Sequence, residues 1–262
     1  MDRQSVDIKN KNIADDLLRL ALDVGEGMLK NGGEISRVED TVERICYAYG
    51  AEHVEVFTII SVINASIQMK DGRRSSQMRR VKSTGMDLSV LEALNSISRE
   101  VCQSKPSLEY FDDKLHQIKK NKAYPSAVIM FAWALAAASF SVFFGGGVLE
   151  CFGAALAGVA MFLIDTYAPR RMNTIAKHVL SSFAATVLAG LLAVLAGGDG
   201  GVVIMGSLML LVPGVAIGTA MRDVFCGDTL AGTLKLIQSC LSALVLAFGY
   251  MLAIWIMGGV SI

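Results

Sequence analysis

The chain has 262 residues, 53% of them apolar, and its 24 Lys+Arg balance 24 Asp+Glu to a formal net charge of zero. That balance hides two unlike halves: residues 1–125 hold 19 basic and 19 acidic side chains, whereas residues 126–262 hold 5 of each together with 18 of the 25 glycines. A second half of that composition belongs to the membrane class and excludes a purely soluble enzyme, while the absence of a Gly period, the scattered cysteines and the high apolar content exclude collagenous, disulfide-stapled and disordered chains. No basic stripe stands clear of neighbouring carboxylates, so nucleic acid is not an expected partner.

The opening MDRQSVDIKNKN mixes both charges with no apolar run behind it, which is not the pattern of a cleaved signal peptide. The first half is therefore expected to remain cytoplasmic. Ile13, Leu17, Leu20, Ala21, Val24 and Met28 fall at helical spacing and predict an amphipathic helix to Lys30, stopped at Asn31-Gly32-Gly33. Ile35, Val38, Val42, Ile45, Cys46 and Tyr49 predict a second, ended by Gly50. From Glu52 the period becomes two: strands are expected over Val54–Thr58 and Val62–Met69. Asp71-Gly72 then suits a hairpin with a returning strand over Ser76–Ser83, and Arg79, Arg80 and Lys82 are expected on its wet face. Two further helices, Leu88–Cys102 and Leu108–Ile118, flank Lys105-Pro106-Ser107. Residues 1–125 thus read as a small α+β cytoplasmic domain.

After Lys119-Lys120-Asn121-Lys122 the composition changes abruptly. Five transmembrane helices are expected in residues 126–262, near Ser126–Phe144, Val148–Ile164, Val179–Ala196, Val202–Met221 and Leu236–Met257. Each has the roughly 17–25 residues that cross about 30 Å of hydrocarbon. The whole is an α-helical polytopic membrane protein. If the spans alternate, Lys119, Lys120, Lys122, Arg170, Arg171, Lys177, Arg222 and Lys235 all fall on one face, which the retention of Lys and Arg makes cytoplasmic. The C-terminal Ser261-Ile262 is then external, and the number of spans is odd.

The candidate functional residues are few. Cys46, Cys102, Cys151, Cys226 and Cys240 form no C-x-x-C pair, and His53, His116 and His178 stand alone, so neither a metal nor another cofactor is expected. A phosphate-binding G-x-x-x-x-G-K-[ST] is absent, which disfavours direct ATP-driven transport. Pro213-Gly214 interrupts the fourth span, and a proline there frees backbone groups; the region reads either as a packing kink or as the discontinuous helix of a solute site. Arg222 and Asp223, followed by Gly227, Asp228 and Gly232, read either as an interfacial anchor or as a gate or binding site for a carboxylate-bearing solute. Glu150 is a possible proton or solute site if it lies inside its span, and a surface group if it does not. In the cytoplasmic domain Gly25, Glu26, Gly32, Glu34, Arg37 and Glu39 cluster around the first helix junction, as a structural or regulatory feature rather than acid–base machinery.

Two of these segments carry a resemblance. GEGMLKNGGEISRVEDTVERICYAYG at Gly25–Gly50 is similar to the N-terminal signature of the threonine/serine exporter (ThrE-like) family. LVPGVAIGTAMRDVFCGDTLAG at Leu211–Gly232 resembles the same family's membrane signature at Pro213, Gly214, Arg222, Asp223, Gly227, Asp228 and Gly232. The resemblance implies secondary export of small polar solutes: threonine and serine, or dicarboxylates such as succinate in the two-component type. It also implies a bacterial inner-membrane location. Long members of the family continue into a second membrane segment, so this chain resembles the split form. A separate small membrane protein, or failing that a homo-oligomer, is then the implied partner. Two other readings stand beside it: a membrane-tethered enzyme with its activity in the cytoplasmic domain, against which five spans weigh because one suffices for anchoring, and a regulatory scaffold.

Overall fold

In a computed structural model that describes residues 3–82, 85–120, 124–169 and 172–258, the first helix is α1, Arg3–Lys30. The sequence readings that fall on Ser83, Lys122, Arg170, Arg171, Ser261 and Ile262 lie outside the described residues. Leu17, Leu20, Ala21, Val24 and Met28 of α1 are buried as their spacing predicts, while Ile13 is 47% exposed. The helix stops where the Asn31 amide donates to Gly27 O at 2.7 Å and Gly32 takes φ +90°. Helix α2, Ile35–Ala48, buries Ile35, Val38, Val42, Ile45 and Cys46 on one face. Close approach to α1 is possible because Gly25 has no side chain, and a Cβ there would lie 2.8 Å from Val42 Cγ2.

Strands β1 (Ala51–Ile59), β2 (Val62–Met69) and β3 (Arg74–Arg80) form an antiparallel sheet in the order β1-β2-β3. Ile63, Ala65, Ile67 and Met69 of β2 enter the core. The expected grouping of Arg79, Arg80 and Lys82 on one wet face is corrected by the strand itself, whose period of two separates neighbours. Arg79 pairs with Asp23 of α1 at 3.5 Å, whereas Arg80 and Lys82 are exposed. Helix α3, Leu88–Ser104, is N-capped by Asp87, whose carboxylate accepts from Ser89 N and Val90 N at 3.0 and 3.1 Å. Helix α4, Leu108–Lys120, adds Phe111 and Leu115 to the same core.

The remaining helices are α5 (Ser126–Phe143), α6 (Val148–Tyr167), α7 (Thr174–Ala196), α8 (Gly200–Leu208), α9 (Gly214–Phe225) and α10 (Thr229–Ile256). Four of them, α5, α6, α7 and α10, are long and apolar enough to cross a membrane. The fifth expected span, Val202–Met221, is not one helix. Its chain forms α8 and α9, of 9 and 12 residues, separated by residues 209–213. At about 1.5 Å per residue neither covers a bilayer alone. The cause is local: Pro213 has no N–H to donate and its ring excludes a continuous helix.

The chain divides into two units, one of Met1–Lys122 with Val215–Leu236, the other of Ala123–Gly214 with Ile237–Ile262. The second unit packs through small residues, as helices in lipid do when no hydrophobic drive distinguishes protein from solvent. A Cβ on Gly206 of α8 would meet the Ser141 backbone of α5 at 2.8 Å, and one on Gly158 of α6 would meet Trp133 O at 2.8 Å. Across α7 and α10 the Ser182 hydroxyl donates to Leu246 O at 2.6 Å. Phe131, Leu135, Phe152, Leu195, Leu244 and Trp255 face outward, a surface suited to hydrocarbon.

Candidate functional site

The first unit concentrates its unusual chemistry at the N-terminus of α2. A helix start leaves backbone N–H groups without intrahelical partners. Glu34 holds the N-cap position in extended backbone, yet its side chain does not turn back to cap. The cap comes instead from Asp223 of α9, whose Oδ1 accepts the Ile35 N–H at 3.4 Å across 188 residues of sequence. Asp223 is 1% exposed, and its Oδ2 accepts from the Lys235 ammonium at 2.5 Å.

Three local features bring Lys235 opposite Asp223. Gly227 takes φ +103° and turns the chain after α9, and Asp228 N–H donates to Asp223 O at 2.9 Å. At Gly232 the two helices nearly touch, since a Cβ there would lie 2.7 Å from Ala220 O and 2.9 Å from Val224 N. The pattern Gly227-Asp228-x-x-x-Gly232 is thus the fold of a tight helical hairpin.

Arg222 and Asp223 take different partners, because successive residues on a helix point about 100° apart. The Arg222 guanidinium donates through Nη1 to Glu34 Oε1 at 2.8 Å, and Arg37 Nε lies 3.5 Å from Glu34 Oε2. One carboxylate therefore sits between two guanidinium groups. The Glu34 side chain is 16% exposed, whereas Arg222 and Arg37 are 56% and 61% exposed. Farther along α2, Glu39 accepts the Thr58 N–H at 2.6 Å. Burial pushes the Glu39 carboxyl above the usual carboxylate range, against the pull of the Thr58 bond, and Asp228 and Glu43 add repulsion. The Asp228 carboxyl is raised too, first by burial and then by Asp223, with Lys235 opposing. The cluster thus joins cations suited to an anion with two carboxyls whose environment favours holding a proton.

The other sequence candidates lie apart from this cluster or serve it indirectly. Pro213 and Gly214 mark the end of the interruption and the start of α9. Gly25 and Gly32 shape the α1–α2 junction, and Glu26 pairs with Lys30 at 2.5 Å. Glu150 is the third residue of α6, where its Oε2 accepts Gly147 N at 2.9 Å and its Oε1 accepts Asp199 N at 3.0 Å. It thereby ties the start of α6 to the start of α8. Among the described residues no group of His, Cys, Asp and Glu is placed to hold a metal ion. Lys235, read in the sequence only as an orientation charge, and Thr58 were not among the candidates. The signal for Lys235 is its position twelve residues beyond Asp223, across a Gly-punctuated turn between two helices.

Comparison with known proteins matches residues 19–257 to the family described as "Putative threonine/serine exporter". Two curated relatives, from Escherichia coli (strain K12) and Klebsiella aerogenes, are each named "Probable succinate transporter subunit YjjP". Each is 26% identical over 248 residues, covering 92% of this chain and 94% or 93% of the relative. No solved structure matches the chain.

Proposed function

Because the chain belongs to the threonine/serine exporter family, we propose that it is one subunit of a secondary exporter that moves small polar solutes, threonine and serine or dicarboxylates such as succinate, out of the cytoplasm. It is a multi-pass membrane protein. The observation that carries the reading is the interruption between α8 and α9 in an apolar stretch that elsewhere has the length of a span. Non-helical backbone at membrane depth is tolerated where protein or a watery cavity satisfies it, and solute sites of secondary transporters use that arrangement. In this reading Pro213 and Gly214, at the interruption, lie on the solute path. Arg222 and Asp228 stand at its cytoplasmic mouth, and Asp223, Gly227 and Gly232 hold that mouth in shape. The chain lies in the bacterial inner membrane with its N-terminus cytoplasmic and its C-terminus external. The relatives' printed name supports a complex, and the partner is a separate small membrane protein or a second copy.

The test is efflux of labelled succinate, threonine and serine from vesicles carrying the chain with and without a small membrane protein encoded beside it. Flux of at least one solute is expected with the partner, reduced at least tenfold by Arg222→Ala and by Pro213→Ala. Full transport by both variants would remove these residues from the path, and no flux of any of the three solutes would refute the exporter reading. Deletion of residues 1–120 with surviving but altered transport would assign regulation to the N-terminal domain.

A further inference from the structure

The clearest unassigned feature is the carboxylate of Glu34 held between Arg222 and Arg37. Nη1 of Arg222 reaches Oε1 at 2.8 Å and Nε of Arg37 stands 3.5 Å from Oε2, so each oxygen has its own guanidinium. Glu34 Oε2 is buried and accepts no hydrogen bond, so the carboxylate is only partly satisfied where it lies. It is also not needed as a cap, since the Ile35 N–H is taken by Asp223. Both arginines turn more than half of their side chains to solvent. A guanidinium carries five N–H donors in a rigid fork that matches a carboxylate, and the bonds to Glu34 engage a minority of them. The neighbouring carboxylate that would repel an incoming anion most directly, Asp223, is already matched by Lys235 at 2.5 Å.

We propose that Arg222 and Arg37 form a receptor for the carboxylate of the solute and that Glu34 is its internal stand-in, exchanging with the solute when it binds. Two adjacent guanidinium groups serve a dicarboxylate better than a carboxylate flanked by an ammonium, so the favoured class is the short dicarboxylic acid. Glu34 then acts as a latch. With the solute absent it pairs with the arginines, and with the solute present its departure breaks the bond from Arg222 to the start of α2 and leaves the Ile35–Asp223 bond in place. The proposal deepens the exporter reading and rests on it for its biological use, but binding is measured without transport.

The experiment is equilibrium binding of labelled succinate to the purified full-length chain in lipid nanodiscs, with L-threonine and uncharged succinamide as competitors. Glu34→Gln removes the competing carboxylate and keeps the side-chain shape, so succinate should bind about tenfold or more tightly than to the unaltered chain, in line with the strength of a charge-assisted bond. Arg222→Gln placed on Glu34→Gln should abolish that gain, and Arg222→Lys should recover part of it. L-threonine should compete more weakly than succinate, and succinamide not at all. If Glu34→Gln does not fold, Glu34→Ala, which likewise carries no carboxylate, takes its place with the same expectation. Affinity unchanged or weakened by the Glu34 substitution, a gain that survives Arg222→Gln, or equal competition by succinamide each overturn the proposal. Tight binding without vesicle transport would overturn the exporter reading and leave the receptor standing. Transport with binding indifferent to Glu34 and Arg222 would do the reverse.

Discussion

Substituting Asp223 by alanine tests whether α9 is held to the N-terminal segment by a buried ion pair. The side chain is 1% exposed and receives both the Ile35 N–H at 3.4 Å and the Lys235 ammonium at 2.5 Å. Loss of the helix cap costs about 1 kcal/mol, at the low end here because the bond is long. Depriving Lys235, whose side chain is only 14% exposed, of this carboxylate costs about 3–5 kcal/mol. The sum approaches the whole stability of an ordinary domain, about 5–15 kcal/mol. Asp223→Asn keeps an acceptor for Ile35 and should lose only the charge-dependent part. Asp223→Ala with Lys235→Met removes both charges of the pair, so it should cost less than the two single changes together by about 1.5 kcal/mol or more. A reporter is built in: Cys46 is fully buried and burial pushes its thiol up to about 12, so alkylation requires the first unit to open. Peptide-resolved thiol trapping of the full chain in micelles should show Asp223→Ala labelling Cys46 roughly 1,000-fold faster or more, the equivalent of about 4 kcal/mol. Trapping within threefold of the unaltered chain, or strictly additive energies in the double variant, would refute the reasoning.

Three further outcomes follow from the same unit. Gly232→Ala should destabilise by about 1–3 kcal/mol in the trapping assay, because its Cβ meets the backbone at Ala220 O and Val224 N, whereas Gly218→Ala in the same hairpin meets nothing within 4 Å and should be neutral or mildly stabilising. Glu39 should make stability fall as pH rises. Its carboxyl is raised in the folded chain, so the native state holds the proton more tightly, and that advantage disappears between the ordinary carboxylate range and the raised value. Asp228 acts with the same sign, so Glu39→Gln should flatten the slope of thermal stability against pH without removing it, and a parallel profile would contradict the assignment. Finally, brief alkylation of the native chain should label Cys226, which is exposed, and spare Cys46.

The elements of the first unit were legible because their signals are local. The apolar positions of α2 repeat at helical spacing, Asp87 stands where a cap is needed before α3, and Asp71-Gly72 marks the hairpin between β2 and β3. The proline signal correctly marked an interruption of the fourth apolar stretch, but it could not say that the two pieces would each be too short to cross a membrane. The site was less legible. Its defining contacts join Glu34 and Ile35 to Arg222 and Asp223 over 188 residues, and no periodicity reports a contact at that separation. Reading Arg222 and Asp223 as a pair overlooked a rule the sequence does contain, that neighbours on a helix diverge. The resemblance of segments 25–50 and 211–232 to one family gave both pieces without saying that they touch.

The contact between them changes the meaning of the charges in the second half. Of the ten charged side chains after residue 125, Arg222, Asp223, Asp228 and Lys235 belong to the unit built mainly from residues 1–122. Among the described residues, those left in the second unit sit at helix ends: Glu150 in the first turn of α6, Asp165 in its last, Lys177 in the first turn of α7 and bonded to Asp165, and Asp199 capping α8. Among the described residues, the polar groups buried in its helices are hydroxyls, Ser141, Ser181, Ser182, Thr186, Ser207 and Ser239, and those of Ser182, Thr186 and Ser207 donate to backbone carbonyls. Hydroxyls and freed carbonyls offer no counter-ion to a carboxylate, and an unpaired anion at mid-depth is costly. On the exporter reading, with Arg222 and Arg37 as the proposed receptor, selection by charge falls to those arginines. Passage beyond them depends on the backbone of residues 209–213, on hydroxyls, or on cations contributed by the partner. If Arg222 and Arg37 receive the solute as proposed, recognition and conduction belong to separate parts of the chain. A substitution at Arg222 should accordingly alter which solutes are taken, and one at Pro213 how fast any of them moves.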